Sequence, residues 1–209
     1  MAPEAFDGSA WMPGVSPYNA GMRRVVVDGV ASATKLPLTI WYPTLEAEKR
    51  QRCGGMYTLS HARAAKPAGK GLGLVVFSHG SGGSDINHHD WAETLARHGY
   101  VVVSPRHVGD SPDLRAGVGA DVCLVRRVRQ LSDALDAALA FPELSGRIDP
   151  RRIGAFGFSA GGFSVLALLG GTTESSVLAT PVFLSLWFFQ GDFVWRSAGR
   201  GYAGRDRLG

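Results

Sequence analysis

The chain has 209 residues, of which 45% are hydrophobic and 19% are charged, as is typical of one soluble globular domain with a sizeable core. Its net charge of +4 comes from basic residues scattered along the chain, which excludes a basic stripe for binding nucleic acid. Neither residues 1–18 nor the apolar stretch 181–189 fits a secretory signal or a membrane span. Cys53 and Cys123 lie in unrelated contexts, which favours free thiols. We therefore expect a cytoplasmic protein.

The first part of the chain predicts three strands. Branched and aromatic residues indicate strands over 22–28 and 36–42, and Pro43 is expected to end the second because proline cannot donate to a strand partner. Residues 45–71 show little periodicity and are interpreted as a surface connection. The continuous apolar run 72–78 (LGLVVFS) is typical of a central strand covered on both faces.

A glycine-rich turn, HGSGG at 79–83, follows the third strand directly. Without side chains in the way, its backbone N–H groups can point at one spot, as binding of an anion or oxyanion requires. Ser84 or Asp85 is expected to cap a helix over 87–98. The turn is therefore a candidate binding element.

Strands and helices continue to alternate after this point. A strand is predicted over 100–104 and a long amphipathic helix over 120–141. Its apolar stripe leaves Arg126, Arg127 and Arg129 on a face expected to be solvated. This alternation predicts an α/β fold with a mostly parallel central sheet and helices on both faces.

The motif GFSAG is interpreted as a nucleophile elbow. A buried strand over 152–156 leads into it and a helix over 162–169 leaves it, which is the context that the motif needs. Ser159 must then adopt a strained backbone conformation. Gly157 and Gly161 are needed because a side chain there would strike the neighbouring strand or helix.

These landmarks together resemble a known family. IWYP at 40–43, VFSHGSGG at 76–83, HGYVV at 98–102 and the elbow stand in the order and spacing of the α/β-hydrolase superfamily. More narrowly, the chain resembles the predicted dienelactone hydrolases, which are related to platelet-activating-factor acetylhydrolases and polyester-cleaving esterases. The resemblance covers residues 25–170 and implies the α/β-hydrolase fold, incomplete at the C-terminal side.

The resemblance also implies roles for individual residues. Ser159 would be the nucleophile, and the backbone N–H groups of Ser81 and Ala160 would form the oxyanion hole. A serine at the elbow, where true dienelactone hydrolases have cysteine, favours an ordinary small-molecule ester as substrate, cleaved through an acyl-enzyme. No metal or organic cofactor is implied. The supporting turn residues would be His79, Gly80, Gly82, Gly83, Gly157 and Gly161.

The expected catalytic base is missing. In this fold the order along the chain is nucleophile, acid, histidine, yet all six histidines precede Ser159. His79 could replace the base, but a structural role beside the site is the simpler interpretation. Asp192, after a strand predicted over 180–189, matches the position of the triad acid only loosely, and an ordinary turn aspartate is the alternative.

Two explanations account for the missing histidine. Either the C-terminal part is truncated or frame-shifted, or the chain kept the scaffold and lost the chemistry. We favour the first, because residues 196–209 read as a disordered tail and a single domain over 1–195 would expose an apolar sheet edge. That edge predicts self-association.

Three functions therefore stand as hypotheses. The first is a serine hydrolase of the esterase type. The second is a non-catalytic binding or scaffold protein with the same fold. The third is a partial enzyme for which another polypeptide supplies the histidine base.

Overall fold

A computed structural model of the chain describes residues 16–53, 55–113 and 123–170, together with the backbone of 121–122 and 185–189. The strands in these residues are β1 (Asn19–Gly29), β2 (Thr34–Thr44), β3 (Lys49–Cys53), β4 (Tyr57–Arg63), β5 (Leu72–Ser78), β6 (Tyr100–Pro105), β7 (Ile148–Phe158) and β8 (Ser185–Phe189). The helices are α1 (His89–Arg97), α2 (Asp121–Ala140) and α3 (Ala160–Leu168). Asp192 and the predicted tail 196–209 lie outside the described residues.

The strands form one mixed sheet in the order β3-β4-β1-β2-β6-β5-β7-β8. The central strand β5 pairs in parallel with β6 and β7, whereas β1 with β2, β2 with β6, and β7 with β8 are antiparallel. The predicted α/β class is confirmed. The sheet is less parallel than expected, because the short turn between β1 and β2 forces an antiparallel pair and extended parallel pairing is confined to β5 with β6 and β7.

Helices cover both faces of the sheet, as predicted. Along β5, Leu74 and Val76 point to one face and Val75 and Phe77 to the other, and all four are buried. The first pair packs against α2 and α3 through Leu131, Leu135 and Val165. The second pair packs against α1 through Ala92 and Ala96. The continuous apolar run of β5 is therefore the consequence of two hydrophobic cores.

The connection predicted over 45–71 contains a hairpin instead, formed by β3 and β4. The hairpin extends the sheet through a short parallel contact of β4 with β1. Strand β3, at the edge, is half-buried to exposed and so shows no apolar alternation. Burial of Leu59 and Ala62 holds β4 in place.

Two local boundaries also differ from the predictions. Pro43 does not end β2, because the strand continues to Thr44 and Pro43 stands opposite Ala20 of β1. Helix α1 begins after His88, which makes no capping hydrogen bond through its side chain. Asp85, one of the expected caps, is buried and joins the loop to the sheet instead. None of the described helices is long and apolar enough to cross a membrane.

Candidate active site

Ser159 lies in the turn between the end of β7 and the start of α3. Its backbone dihedrals are φ 53° and ψ −122°, a region that L-residues with a side chain rarely adopt. The strained turn predicted from the motif is thereby confirmed. Its carbonyl oxygen accepts the first hydrogen bond of the new helix, from the N–H of Gly162 at 2.8 Å.

Gly157 and Gly161 permit this turn by lacking side chains. A Cβ at Gly157 would overlap the backbone carbonyl of Gly161, and a Cβ at Gly161 would overlap the carbonyl oxygen of Ser78. Both glycines are required by close approach of backbone rather than by a positive φ. The start of α3 is consequently pressed against the end of β5, where the glycine-rich turn begins.

The glycine-rich turn passes directly beside Ser159. A Cβ added at Gly80 would lie 3.4 Å from Cβ of Ser159. The N–H of Gly83 donates to the carbonyl oxygen of Gly80 at 3.0 Å, and Gly82 has a φ of +67°, as the third position of a type II turn demands. Two elements that are distant in sequence, 79–83 and the elbow, therefore meet.

Asp110 holds this turn through hydrogen bonds, a role that the sequence analysis did not predict. Its Oδ1 accepts hydrogen bonds from Oγ of Ser81 and from the N–H of Gly82, both at 2.8 Å. The carboxylate is buried. A polar residue shortly after β6 was the available signal, since β5 and β6 are parallel and their carboxyl ends meet at the same edge.

Arg127 of α2 overturns the interpretation of the helix arginines as a solvated face. Its side chain is fully buried, whereas Arg129 is exposed as predicted. Its Nη1 donates to Oδ2 of Asp110 at 2.6 Å, so the charge is paired. Arg127 precedes the buried Leu131 and Ala134 by four and seven residues, a spacing that already placed it on the apolar face.

His79, weighed as a substitute base, is held by both ring nitrogens. Its Nδ1 lies 2.7 Å from the carbonyl oxygen of Gly80, to which it must donate, and its Nε2 accepts the backbone N–H of His107 at 3.2 Å. Burial, assisted by the charge of Arg127, lowers the pKa of His79 to about 4. The ring is therefore neutral at pH 7, and both of its nitrogens are engaged in hydrogen bonds.

His107 is also buried and fully engaged. Its Nε2 lies 2.9 Å from Oγ of Ser78, and its Nδ1 lies 2.9 Å from Oε1 of Gln130. Because that amide oxygen can only accept, Nδ1 carries the proton and Nε2 accepts from the serine hydroxyl. Burial, with the neighbouring Arg127, holds the pKa of His107 well below its ordinary value.

The remaining histidines lie in four different settings. His61 is buried on β4 at the far side of the sheet. His89 contacts Glu93 at 3.3 Å, and Nδ1 of His98 lies 2.7 Å from the carbonyl oxygen of Thr94. The ring of His88 lies against Phe158, 5.2 Å between centroids. Among the described residues, no three His, Cys, Asp or Glu side chains are grouped to hold a metal ion.

The fold and the elbow define an α/β hydrolase, and the comparisons with known proteins agree. The sequence profile described as "Dienelactone hydrolase family" matches residues 60–184. Because that match covers more than half of the chain, the chain belongs to the dienelactone hydrolase family, as the sequence analysis predicted.

Three similar proteins set the extent of the likeness. Lipase 1 of Moraxella sp. (strain TA144) is 36% identical over 91 residues, which are 43% of this chain and 24% of the lipase. The ferulic acid esterase from Streptomyces cinnamoneus has a TM-score of 0.61 and 23% identity over 76% of this chain and 56% of that structure. A dienelactone hydrolase-like promiscuous phosphotriesterase from metagenomic libraries has a TM-score of 0.46 and 20% identity, covering 72% and 54% of the two chains. The chain thus spans about a quarter of that lipase and just over half of either structure.

Proposed function

We propose that this protein hydrolyses a carboxylic ester through an acyl-enzyme formed at Ser159. The observation that carries the proposal is the strained elbow at Ser159, set beside a glycine-rich turn. Serine is a common residue, whereas a serine held in a strained turn between a strand and a helix is typical of the nucleophile of an α/β hydrolase. The names of two relatives, a lipase and a ferulic acid esterase, support an ester as the substrate class.

The proposed reaction uses backbone groups to stabilise charge. Oγ of Ser159 attacks the ester carbonyl carbon, and the carbonyl electron pair moves onto the oxygen. The N–H groups of Ser81 and Ala160 would bind this oxyanion, assisted by the positive end of the α3 dipole. Collapse breaks the bond to the alcohol oxygen, which takes the proton lost by Ser159. Water then releases the acid and restores the serine.

The base is the unfilled role in this proposal. His79 and His107 are buried with both ring nitrogens engaged, and no histidine follows Ser159 in the sequence. We therefore propose that the histidine that accepts the serine proton lies outside these 209 residues, either on a C-terminal continuation or on another polypeptide. We also propose Asp192 as the acid of the triad.

A non-catalytic binding protein with this fold is the second candidate. It is favoured by the same two locked histidines, because without a base the serine hydroxyl is a weak nucleophile. The two candidates differ in whether Ser159 can be acylated at all. Acylation is therefore the property to measure.

Acylation can be measured as a burst of p-nitrophenol from p-nitrophenyl acetate, with imidazole added as an external base. The hydrolase proposal expects a burst of one equivalent of p-nitrophenol per chain, absent in Ser159→Ala. Ser145→Ala, at an exposed serine after α2, is the matched control and should keep the full burst. Equal release by the protein and by Ser159→Ala would reject the proposal.

A further inference from the structure

We propose that Asp110 and Arg127 are positioning residues that couple the glycine-rich turn to the elbow helix α3. The inference rests on the proposed function, because it concerns the oxyanion hole of that reaction. Neither residue touches the reacting atoms. They would act by fixing the two elements, 79–83 and α3, that carry the oxyanion donors.

The turn side of this coupling is made by Asp110. Its Oδ1 holds Oγ of Ser81 and the N–H of Gly82, which are the two central residues of the turn. Its Oδ2 accepts the hydrogen bond from Nη1 of Arg127. One carboxylate therefore binds the turn with one oxygen and α2 with the other.

The helix side is made by Arg127. Its Nε donates to Oγ of Ser164 at 3.1 Å, and that hydroxyl donates to the carbonyl oxygen of Ala160 at 2.9 Å. Ala160 is the residue that follows the nucleophile. In a single conformation, the guanidinium therefore pairs with Asp110 and also contacts the first turn of α3 through Ser164.

A third set of contacts binds the end of β5. Nη2 of Arg127 donates to the carbonyl oxygen of His79 and, at 3.1 Å, to Oγ of Ser78. A single planar group with fixed donor directions therefore spans β5, the turn and α3. A lysine ammonium, as a point charge on a flexible stem, could pair with Asp110 but could not hold all three.

The coupling follows from rigidity in a buried site. Arg127 is fully buried and the Asp110 side chain is only 4% exposed. Solvent therefore competes little for these hydrogen bonds. Small displacements of preorganised donors are costly for catalysis, so loss of the pair should slow acylation of Ser159 even when the protein remains folded.

The test compares the protein with the double variant Asp110→Leu/Arg127→Met. Removing both charges avoids an unpaired buried ion, and apolar replacements of such pairs often fold well. Two quantities are measured: the rate constant for phosphonylation of Ser159 by a fluorophosphonate in the presence of imidazole, split into kinact and KI, and the NMR exchange rate of the Gly162 amide, which donates to the carbonyl oxygen of Ser159 and to neither replaced side chain. Arg129→Met, at the exposed arginine of the same helix, is the control.

For the folded double variant we expect kinact to fall roughly 10- to 100-fold and Gly162 exchange to accelerate, with KI little changed. Arg129→Met should match the unmodified protein. Unchanged kinact, or unchanged Gly162 exchange, would overturn the proposal, because the pair would then serve stability alone.

Failure of the proposed function would give a different result. If Ser159 is not phosphonylated in the unmodified protein, the hydrolase proposal fails, and the Gly162 exchange rate alone decides the coupling. If the double variant does not fold, Arg127→Lys replaces it, because it keeps the charge. Faster exchange at Gly82 and Gly162 in Arg127→Lys would support the coupling, and unchanged exchange at both would overturn it.

Discussion

Nη1 of Arg127 donates a 2.6 Å hydrogen bond to Oδ2 of Asp110 in the interior of the protein, and Oδ1 of the same carboxylate binds the glycine-rich turn. Burial lowers the pKa of Arg127, and the carboxylate of Asp110 opposes that shift. Such a pair adds little net stability, yet either partner left alone becomes an unpaired buried charge. Replacing only one of the two residues should therefore lower the stability of the protein.

Arg127→Met should lower the free energy of unfolding by about 3–5 kcal/mol, because it leaves Asp110 buried without its cation. Arg129→Met removes an exposed arginine from the same helix and should change the free energy of unfolding by less than about 0.5 kcal/mol. Urea unfolding at pH 7 measures both. Equal losses in the two variants would mean that Arg127 is not paired as described.

Stability should fall as the pH is lowered from about 6.5 toward about 4. The pKa of His79 is lowered from its ordinary 6.5 to about 4 by burial, and that of His107 is lowered well below 6.5. In this window the unfolded chain binds protons that the folded chain does not, so acid favours unfolding. For His79 the full effect is on the order of 3 kcal/mol.

A variant isolates this effect from other titrating groups. Burial raises the pKa of Glu93, which changes stability in the opposite direction over part of the same range. His79→Gln should flatten the dependence of the urea midpoint on pH, while His98→Gln, at an exposed histidine, should keep the original slope. An unchanged slope in His79→Gln would contradict a buried neutral His79.

Gly161→Ala should destabilise the elbow turn, because the added Cβ would overlap the carbonyl oxygen of Ser78. Overpacking of backbone against backbone should cost about 3 kcal/mol or more. Gly99→Ala is the comparison. A Cβ added at Gly99 would meet nothing within 4 Å, but the backbone there has a φ of +84°, so this substitution should cost only about 1 kcal/mol of strain. Thermal melting separates the two, and equal shifts would contradict the close approach.

The sequence predicted the parts of the fold that depend on local patterns. β5 was predicted with its observed bounds because both faces of the strand are covered and its residues are continuously apolar. The strained Ser159 and the required Gly157 and Gly161 followed from the elbow motif, since sharp turns leave a glycine signature. Meeting of the elbow with 79–83 followed from the family resemblance.

The missed features depend on partners that are distant in sequence. An arginine on α2 is assigned to solvent by default, and the burial of Arg127 is favourable because distant groups, among them Asp110 and Ser164, accept its hydrogen bonds. The β3–β4 hairpin was missed because a strand at the edge of a sheet needs no apolar alternation. Asp192 lies outside the described residues, so its role stays a prediction.

Imidazole should accelerate acylation of Ser159. The buried His79 and His107 have no free ring nitrogen, so an external base would supply the missing proton acceptor. The rate of phosphonylation should rise with the concentration of neutral imidazole between pH 6 and 8. A fast rate that does not depend on imidazole would instead indicate a base within this chain, and His88→Gln would test the histidine that contacts Phe158.

The most direct test of the central claim is the intact mass of the protein after treatment with a fluorophosphonate in the presence of imidazole. If Ser159 is the nucleophile of a hydrolase, the protein gains the mass of one phosphonyl group, peptide mapping places it on Ser159, and Ser159→Ala gains none. An adduct that persists in Ser159→Ala, or no adduct on the folded protein at all, would contradict the account.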